Sequence, residues 1–382
     1  MLYRHRHAES ALRRLFEHYP VVAVLGGRQV GKSTMVGAVL GDVVSTIVFD
    51  PAEDVGQARQ DADLFLQNNP APLFLDEVQY APELLSALKR RVDRTQGKGL
   101  YVISGSQNLA VLRQITESLA GRVAIIELPP MCRRELDGEM DRPSILEGWI
   151  ASRGENVDSE PMYPAPPWYQ AIWRGGYPGL LELPDDLVQT HHRSYMQTYI
   201  ERDVRVVAGV GDLQLFGRFF ALLAATTARE VNPAQLGREL GVDRKTAVAW
   251  KSTATATYQW MEIPAFTRNA TKRVAGKHKG YMIDSGLVCY HHRIASADSL
   301  AGHPLQGQLV ETWAVTEIVK AIQSWPTKPA LYHYRSHGGG EVDLVLEIDG
   351  WLFPVEIKSK SHPTRRDTLG IRSFRESFPR ER

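Results

Sequence analysis

The sequence predicts an α/β protein in which a parallel sheet covered by helices precedes a mostly helical region and a small α+β unit. As far as about Leu128, short apolar runs alternate with segments of helical period, a pattern typical of buried parallel strands joined by helices. Helical spacing dominates from Tyr169 to about Ala225, and strand-like alternation returns from Leu331 onwards. More than one hydrophobic core is therefore expected.

Five apolar runs are predicted to form the strands of the parallel sheet. They lie at residues 21–25, 46–49, 73–75, 100–103 and 123–128. A stretch with four prolines, residues 155–168, predicts a loop or linker after the sheet. We therefore expect four units, at residues 1–155, 156–225, 226–298 and 299–382.

The composition excludes several classes of protein. Of 382 residues, 43% are apolar and 23% charged, which is ordinary globular chemistry. The net charge of +1 creates no global attraction to nucleic acid or anionic lipid, so any such affinity must be local. Cys132 and Cys289 lie too far apart for a metal-binding motif, and they suggest no disulfide framework. With neither a signal peptide nor a membrane-spanning run, we expect a cytoplasmic protein without membrane contact.

A glycine-rich segment, placed between the first predicted strand and a helix expected to begin near Lys32, matches the P-loop pattern in full. Its residues are Gly26, Gly27, Arg28, Gln29, Val30, Gly31, Lys32 and Ser33, with Thr34 following. Glycines let backbone N–H groups point at phosphate oxygens. We predict that Lys32 reaches the β and γ phosphates and that Ser33 binds Mg²⁺. The alternative, a turn that only caps a helix, does not require the full pattern.

Two adjacent acids follow the third predicted strand and indicate hydrolysis. Asp76 and Glu77 would lie at the carboxyl end of a strand neighbouring the P-loop strand, where sheets of this class bind ligands. We predict that Asp76 holds Mg²⁺ through its water shell and that Glu77 activates the attacking water as a general base. The alternative is a helix N-cap, a position that acidic residues also favour.

Two further residues are candidates for the hydrolytic site. The fourth predicted strand ends in a polar segment in which Ser106 could sense the γ-phosphate or the lytic water, although Ser and Gly also end strands for turn reasons. Arg122 precedes the fifth strand and could be an arginine finger that acts on a neighbouring subunit. A surface salt bridge is the competing interpretation of Arg122.

Taken together, these motifs resemble the AAA-type core of a bacterial and archaeal family of ATP-binding proteins whose C-terminal half is a domain of unknown function. Short patterns beginning at Arg174, Tyr199 and Ile283 resemble that second half. The resemblance implies ATP and Mg²⁺ as ligands and places a sensor strand between the acidic strand and the P-loop strand. It assigns site roles to residues already named, which are Lys32, Ser33, Asp76, Glu77, Ser106 and Arg122.

A helix-turn-helix is predicted over residues 232–248. Leu236 and Leu240 would face inward, Gly241 would make the turn, and Asp243 would cap a second helix. Arg244 and Lys245 would be exposed at the start of that helix, where base edges are read. The basic segment 268–279, with Arg268, Lys272, Arg273, Lys277 and Lys279, could be a wing that contacts DNA phosphates. The alternative is an internal packing module without DNA contact.

Two alternating segments around Asp349 and Gly350 predict a β-hairpin near the C-terminus. Counting outward from the turn places Asp343 opposite Glu356 and Glu341 opposite Lys358, with apolar partners on the other face.

Asp343, Glu356 and Lys358 resemble the nuclease signature PD-(D/E)xK, with Glu311 as its acidic helix residue. That resemblance implies that Asp343 and Glu356 hold a metal ion, while Lys358 orients a water molecule. A solvated face of paired charges is the alternative. Two departures are the missing proline of the signature and the end of the chain at Arg382, which suggest a truncated nuclease-like unit.

The function predicted from these patterns is Mg²⁺-dependent ATP binding and hydrolysis, coupled to DNA binding or remodelling. Two alternatives are an ATP-regulated, metal-dependent nuclease and a protein-remodelling or scaffolding ATPase with no nucleic-acid role. A homo-oligomer is also expected if Arg122 acts on a neighbouring subunit.

Overall fold

A computed structural model describes most of the chain. The described residues are 3–50, 55–106, 119–142, 144–155, 168–205, 210–267, 276–336, 340–360, 362 and 364–378. Their first part contains a parallel sheet formed by β1 (Val21–Leu25), β2 (Ser45–Val48), β3 (Leu73–Asp76), β4 (Tyr101–Gly105) and β5 (Val123–Glu127). All five strands were predicted from the sequence, and they pair in the order β2-β3-β4-β1-β5. Strand β4 separates β3 from β1, as the family resemblance implies, so the direct neighbour expected for the acidic strand is wrong.

Helices cover both faces of the central strands β1, β3 and β4, which are buried throughout, whereas the edge strand β2 is largely exposed. The helices of this part of the chain are α1 (Glu9–His18), α2 (Lys32–Leu40), α3 (Gly56–Gln60), α4 (Ala62–Asn68), α5 (Glu83–Thr95), α6 (Arg133–Asp137) and α7 (Ile145–Ala151). Within β1, Val22 and Val24 face the core shared with α1 and α2, whereas Ala23 and Leu25 face the core shared with α4 and α5. Alternation along the strand therefore divides the apolar residues between two cores.

The middle of the chain is mostly helical, as predicted. It contains α8 (Trp168–Arg174), α9 (Asp185–Thr198), α10 (Leu213–Ala225), α11 (Pro233–Leu240), α12 (Arg244–Ala256) and α13 (Ser285–His291). Helix α9 continues into a π-helical turn, Tyr199–Val204. Buried aromatic residues of α9 and α10 belong to the same core as α1 and α2. The helical region therefore packs against the face of the sheet that carries the P-loop helix.

The predicted helix-turn-helix is confirmed in α11 and α12. The side chain of Asn232 accepts hydrogen bonds at the start of α11, Gly241 ends that helix with φ of 74°, and Asp243 caps α12 by accepting from the Thr246 N–H at 3.0 Å. Three short antiparallel strands accompany the helices: β6 (Arg229–Glu230), β7 (Trp260–Ile263) and β8 (Lys279–Met282), in the order β6-β8-β7.

The C-terminal unit combines helix α14 (Gln306–Ile322) with a three-stranded antiparallel sheet and helix α15 (Leu369–Ser377). The strands are β9 (Ala330–Arg335), β10 (Glu341–Ile348) and β11 (Trp351–Val355), in the order β11-β10-β9. The structure confirms the predicted hairpin turn at Asp349 and Gly350. It also confirms the predicted register of β10 and β11, from the pair Ile348–Trp351 to the pair Leu344–Val355. The ladder ends there, one position before Asp343 and Glu356.

Both faces of β10 are covered, which the alternation alone did not indicate. Leu344 and Leu346 lie in the predicted apolar core, but Val345, on the opposite face, is also fully buried and belongs to a cluster with Phe374 of α15. Asp343 is only 6% exposed. The alternative of a solvated charged face is therefore wrong for Asp343.

Two smaller features of the described structure concern membrane-spanning helices and the cysteines. Within the described part of the chain, none of the helices combines the length and apolarity needed to cross a lipid bilayer. Cys132 and Cys289 are both free and buried, in agreement with the absence of a predicted disulfide. Burial raises the pKa of both thiols.

Candidate functional site

The P-loop turns from β1 into α2 in the way that phosphate binding requires. Gly31 precedes the helix with φ of 90°, a conformation that side chains disfavour, and Lys32 begins the helix. The Lys32 ammonium donates to the carbonyl oxygens of Gly26 at 3.0 Å and Gly27 at 2.9 Å. Burial lowers the pKa of Lys32, while the nearby carboxylates of Glu77 and Asp76 oppose that shift.

A cleft of about 380 Å³ opens in front of this loop. It is lined by Gln29, Gly31, Lys32, Ser33, Thr34, Glu77, Pro178, Gly179 and His191. The first six of these residues were predicted to bind or hydrolyse nucleotide. The other three come from the helical region and were missed. The structure thus brings the predicted lysine, serine and general base together, and it adds a wall from the second unit.

The two acids occupy different environments at the carboxyl end of β3. Asp76 ends the strand, is buried and accepts a hydrogen bond from the Ser104 hydroxyl on β4. Glu77 follows in the left-handed region, with φ of 58°, a conformation that costs a residue with a side chain about 1–3 kcal/mol and that collects at functional sites. Glu77 makes no side-chain cap to the short turn that follows, so the N-cap alternative does not describe it.

Hydrogen bonds connect the end of β4 to both acids. The Ser104 hydroxyl accepts from the Glu77 N–H at 3.0 Å while donating to Asp76. The Gln79 amide donates to the Glu77 carboxylate and, at 3.2 Å, to the Ser106 hydroxyl. Ser106, the predicted sensor, therefore contacts the base only through Gln79. Ser104, which belongs to the same predicted polar segment, positions Asp76 directly. Gln107 lies outside the described residues.

Two arginine side chains tie the P-loop to distant parts of the chain. Arg28 donates to both carboxylate oxygens of Asp203, at 2.9 to 3.3 Å, from the π-helical turn after α9. Arg6 donates to the Val30 carbonyl oxygen at 2.7 Å and pairs with Glu135 at 3.0 Å. The contacts with Asp203 raise the pKa of Arg28. Two residues within the P-loop, Arg28 and Val30, are therefore held by residues outside the motif.

A smaller apolar pocket of about 90 Å³ adjoins the cleft. It is lined by Tyr3, Arg4, Arg6, Gly31, Thr34, Met131, Pro178 and Leu181. Gly31, Thr34 and Pro178 line both cavities. An apolar pocket joined to a phosphate cleft is the arrangement that a nucleotide needs for its base and its phosphates.

Arg174 and Arg202 belong to the motifs of the second half. Arg174 donates to the Leu183 carbonyl oxygen at 2.7 Å and also contacts the Leu180 carbonyl oxygen and Asp185. These contacts hold the segment that carries Pro178 and Gly179. The Arg202 side chain lies outside the described part of the structure.

Arg122 lies at the opposite edge of the sheet from the cleft. It precedes Val123, which pairs with Val21 at the amino ends of β5 and β1. Its guanidinium forms an ion pair with Asp93 and donates to the Ala120 carbonyl oxygen at 2.9 Å. The surface salt bridge considered as the alternative is therefore present, and Arg122 does not reach the nucleotide cleft of its own chain.

The residues predicted to contact DNA differ in exposure. Arg244 and Lys245 are exposed in the first turn of α12, and Lys277 is exposed beside Glu230 at 3.2 Å. Arg268, Lys272 and Arg273 lie outside the described residues. The prediction that Lys279 belongs to an exposed basic surface is wrong, because its ammonium is buried against Glu311 at 2.6 Å and Glu341 at 3.1 Å.

The nuclease-like residues do converge. Lys358 contacts the Glu356 carboxylate, and its ammonium lies 3.9 Å from an Asp343 oxygen, which also accepts from the Ile357 N–H at 2.8 Å. Glu311 of α14 reaches the same cluster through Lys279. Burial raises the pKa of Glu311 to about 7, against the pull of the Lys279 ammonium. Lys279 was not predicted to belong to this cluster.

One compact group of possible metal ligands occurs elsewhere in the described residues. His7, Cys132 and Glu135 offer ligand atoms within 4.8 Å of one another. The Glu135 carboxylate, however, already accepts from the His7 N–H at 2.8 Å and the Cys132 N–H at 2.9 Å, and it pairs with Arg6. These contacts explain the group as the anchor of the N-terminal segment.

Three family models match successive segments of the chain. The model described as AAA domain matches residues 18–137, Domain of unknown function (DUF8612) matches 166–298, and Domain of unknown function (DUF4143) matches 306–382. Together with the parallel sheet and the P-loop, the first match defines an AAA-type P-loop ATPase, an enzyme that binds and hydrolyses ATP. More particularly, the chain combines an AAA domain with a C-terminal domain of unknown function, which is the combination found in the ATP-binding family that its motifs resemble.

Similar proteins are found among both curated sequences and solved structures. The uncharacterized proteins Mb2031c of Mycobacterium bovis and Rv2008c of Mycobacterium tuberculosis are each 27% identical over 371 residues, covering 95% of this chain and 76% of theirs. The Walker-type ATPase PABY2304 of Pyrococcus abyssi aligns with a TM-score of 0.45 and 16% identity, over 76% of this chain and 96% of its own. The RuvB Holliday junction branch migration motor of Thermotoga maritima aligns with a TM-score of 0.29 and 17% identity, over 70% of this chain and 91% of its own. These TM-scores are too low to support a functional argument.

Proposed function

We propose that the cleft in front of the P-loop holds the triphosphate of ATP while the adjoining apolar pocket holds the base. The observation that carries this proposal is the continuity of the two cavities through Gly31, Thr34 and Pro178. The base would lie against Pro178 and Leu181, with the Tyr3 ring nearby. The phosphates would extend toward Lys32 and Glu77.

The residues around the cleft suit Mg²⁺. Ser33 is exposed in the first turn of α2 and Asp76 is fixed by Ser104, which provides the hydroxyl and carboxylate oxygens that Mg²⁺ favours. Ser33 would bind the ion directly, and Asp76 would hold it through water. When bound, Mg²⁺ supplies neutralisation of the charge on the β and γ phosphates.

In this proposal, Glu77 is the general base for hydrolysis. Its left-handed backbone and its contact with Gln79 orient the carboxylate at the cleft, where it would accept a proton from the water that attacks the γ-phosphate. Lys32 would leave the carbonyl oxygens of Gly26 and Gly27 to neutralise the phosphates. Ser106 would act through Gln79 on the base, as a positioning residue.

His191 of α9 supports a link between the γ-phosphate and the helical region. Its Nε2 is shielded and has no hydrogen-bond partner among the described residues. A Cβ on Gly179 would lie 2.6 Å from its Cε1, so the glycine provides the space for the ring. Burial lowers the pKa of His191, which favours a neutral imidazole whose Nε2–H can donate to a phosphate oxygen.

Steady-state ATP turnover in magnesium buffer tests these roles. Lys32→Ala should abolish nucleotide binding, whereas Glu77→Gln should retain binding and lose at least about 100-fold in kcat, because only the proton acceptor is removed. Glu83→Gln, an exposed carboxylate in the first turn of α5, is the matched control and should leave turnover unchanged. Turnover at the parent rate in Glu77→Gln would show that another group is the base.

A second candidate function is DNA contact by the unit formed by α11, α12 and the β6-β8-β7 sheet. These two helices and the small antiparallel sheet would form a winged helix, and the exposed Arg244 and Lys245 lie at the amino end of the second helix. The packing of Trp250 against Phe216 and Phe219 fixes the orientation of that helix. Coupling of such contact to the ATPase would make duplex DNA a regulator of turnover.

Fluorescence anisotropy with a labelled duplex, together with turnover measured with and without DNA, tests this function. The double variant Arg244→Ala/Lys245→Ala should bind at least about tenfold more weakly and show a smaller salt dependence, because two phosphate or base contacts are lost. Arg13→Ala/Arg14→Ala on α1 removes another exposed pair of adjacent basic residues and should bind as the parent does. Equal affinity of both double variants would favour a packing module and a protein-remodelling or scaffolding role.

An oligomer and a cytoplasmic location complete the proposal. Arg122 would act on a neighbouring nucleotide only after separation from Asp93, whose contact with it is solvent-exposed and therefore weak. Sedimentation velocity with and without MgATP measures whether the chain forms an oligomer. A chain that remains monomeric while it turns over ATP would exclude a role for Arg122 as an arginine finger.

A further inference from the structure

Three carboxylates of the C-terminal unit converge on a single ammonium group. Lys279 Nζ lies 2.6 Å from Glu311 Oε1, 3.1 Å from Glu341 Oε1 and 3.5 Å from Asp343 Oδ1. The side chain of Lys279 is only 5% exposed. Tyr281, two residues further along β8, donates its hydroxyl to the same Glu311 oxygen at 2.8 Å. The cation is therefore enclosed by its partners.

The lysine and the carboxylates belong to different parts of the chain. Lys279 lies on β8, in the sheet that accompanies the helix-turn-helix and within the segment matched at residues 166–298. Glu311, Glu341 and Asp343 lie within the segment matched at residues 306–382. A cation from solvent could have neutralised these carboxylates, but here the cation comes from the neighbouring unit.

Backbone contacts hold the two units together beside this cluster. The Phe266 N–H donates to the His333 carbonyl oxygen at 2.6 Å, and the His333 N–H donates to the Pro264 carbonyl oxygen at 2.9 Å. This parallel bridge connects the segment after β7 to β9. Lys279 is therefore presented to the carboxylates from a fixed backbone, and its position does not depend on a flexible loop.

A divalent ion does not fit this arrangement. An ion bound by Glu311 and Asp343 would need oxygen distances of about 2.0–2.6 Å, and the Lys279 ammonium already lies between those two carboxylates. The pair predicted to hold the metal, Asp343 and Glu356, also has an ammonium group beside it. Lys358 forms an ion pair with Glu356, and its Nζ lies 3.9 Å from the other Asp343 oxygen. Removing Lys279 from the cluster would leave three carboxylates facing one another, which is the situation that favours binding of a metal ion.

We propose that the Lys279 ammonium takes the place of a divalent cation among Glu311, Glu341 and Asp343, and that these four residues serve as an ionic joint between the helix-turn-helix unit and the C-terminal unit. In this arrangement the C-terminal unit holds no metal and cuts no nucleic acid. The joint makes the two units move as one body. The inference is independent of the proposed nucleotide cleft, because none of its residues lines that cleft.

Binding of Mn²⁺ to the full chain without nucleotide, followed by electron paramagnetic resonance, tests the proposal. The parent and Asp343→Asn should bind Mn²⁺ equally, since the joint holds no metal. Lys279→Met keeps the length of the side chain and removes its charge. It should gain one Mn²⁺ site, at least tenfold tighter than any site in the parent, which the further change Asp343→Asn removes. Lys279→Arg restores a cation and should gain no site.

Two results would overturn the proposal. One is a Mn²⁺ site in the parent that is lost in Asp343→Asn or in Glu356→Gln. Glu356 is included because its Oε2 is buried without a hydrogen-bond partner among the described residues and is therefore available to a metal. The other is a folded Lys279→Met that gains no site. If Lys279→Met does not fold, the comparison of the parent with Asp343→Asn and Glu356→Gln decides: equal Mn²⁺ binding supports the joint, and a loss refutes it.

Discussion

The ion pair between Arg28 and Asp203 gives the sharpest test of how the second unit supports the P-loop. The pair is bidentate, and the two side chains are only 15% and 3% exposed. Asp203→Ala would leave the Arg28 guanidinium half-buried without its partner. Breaking a buried pair in this way costs about 3–5 kcal/mol, and the partial exposure of Arg28 places the expected loss near the lower bound, about 3 kcal/mol.

A second arginine–aspartate pair, which lies within the first unit, provides the control. The side chains of Arg122 and Asp93 are 35% and 43% exposed, so Asp93→Ala should cost less than about 1 kcal/mol. Equilibrium urea unfolding followed by circular dichroism measures the free energy of unfolding of both variants. Equal losses for Asp203→Ala and Asp93→Ala would refute the argument that burial of the Arg28 pair fixes the P-loop against the helical region.

Two further sets of variants test the base pocket, the phosphate contact and the pH dependence. Leu181→Glu introduces a charge into the apolar pocket and should weaken the binding of ATP and of ADP alike by about tenfold, or ~1.4 kcal/mol. His191→Ala should weaken the binding of ATP more than that of ADP, and titration calorimetry with both nucleotides separates the two effects. An equal loss of affinity for both nucleotides in His191→Ala would contradict the contact of His191 with the γ-phosphate. Burial lowers the pKa of His291 to about 4, so the unfolded chain binds its proton between about pH 6.5 and 4 while the folded chain does not. Stability should therefore fall as the pH is lowered through that window, and His291→Gln should flatten the dependence of the urea midpoint on pH. An unchanged slope in His291→Gln would assign the acid sensitivity to other groups.

The parts of the site that are contiguous in sequence could be predicted, because local chemistry determines them. The P-loop residues and the acids at the end of β3 each follow a strand whose apolar run is readable, and the edge of a parallel sheet then brings them together. The hairpin register from Ile348–Trp351 was likewise determined by a two-residue turn at Asp349 and Gly350.

The parts that were missed depend on packing between distant segments. Pro178, Gly179 and His191 enter the cleft only because α8 and α9 pack against the P-loop face of the sheet. The short pattern that begins at Arg174 resembles the second half of the family, but spacing alone does not indicate which cavity the neighbouring residues line. Asp203 lies 175 positions from Arg28, and no local periodicity connects them.

The error at Lys279 has a specific physical cause. In a window without acids, several lysines and arginines are normally a solvated surface, since a buried ammonium is costly unless it is paired. The carboxylates that stabilise Lys279 lie on α14 and β10, beginning 32 positions later in the chain. Their burial could be inferred only once the two sheets were known to be joined at His333.

Calorimetric titration of MgATP into the nucleotide-free full chain tests the central claim most directly. One nucleotide should bind per chain, with a requirement for Mg²⁺, and Lys32→Ala should weaken binding by at least about 100-fold, since the buried ammonium that faces the phosphates is lost. Lys89→Ala, an exposed lysine on α5, should bind as the parent does. A parent chain that takes up no MgATP, or a Lys32→Ala chain that binds it with the parent affinity, would contradict the assignment of the cleft.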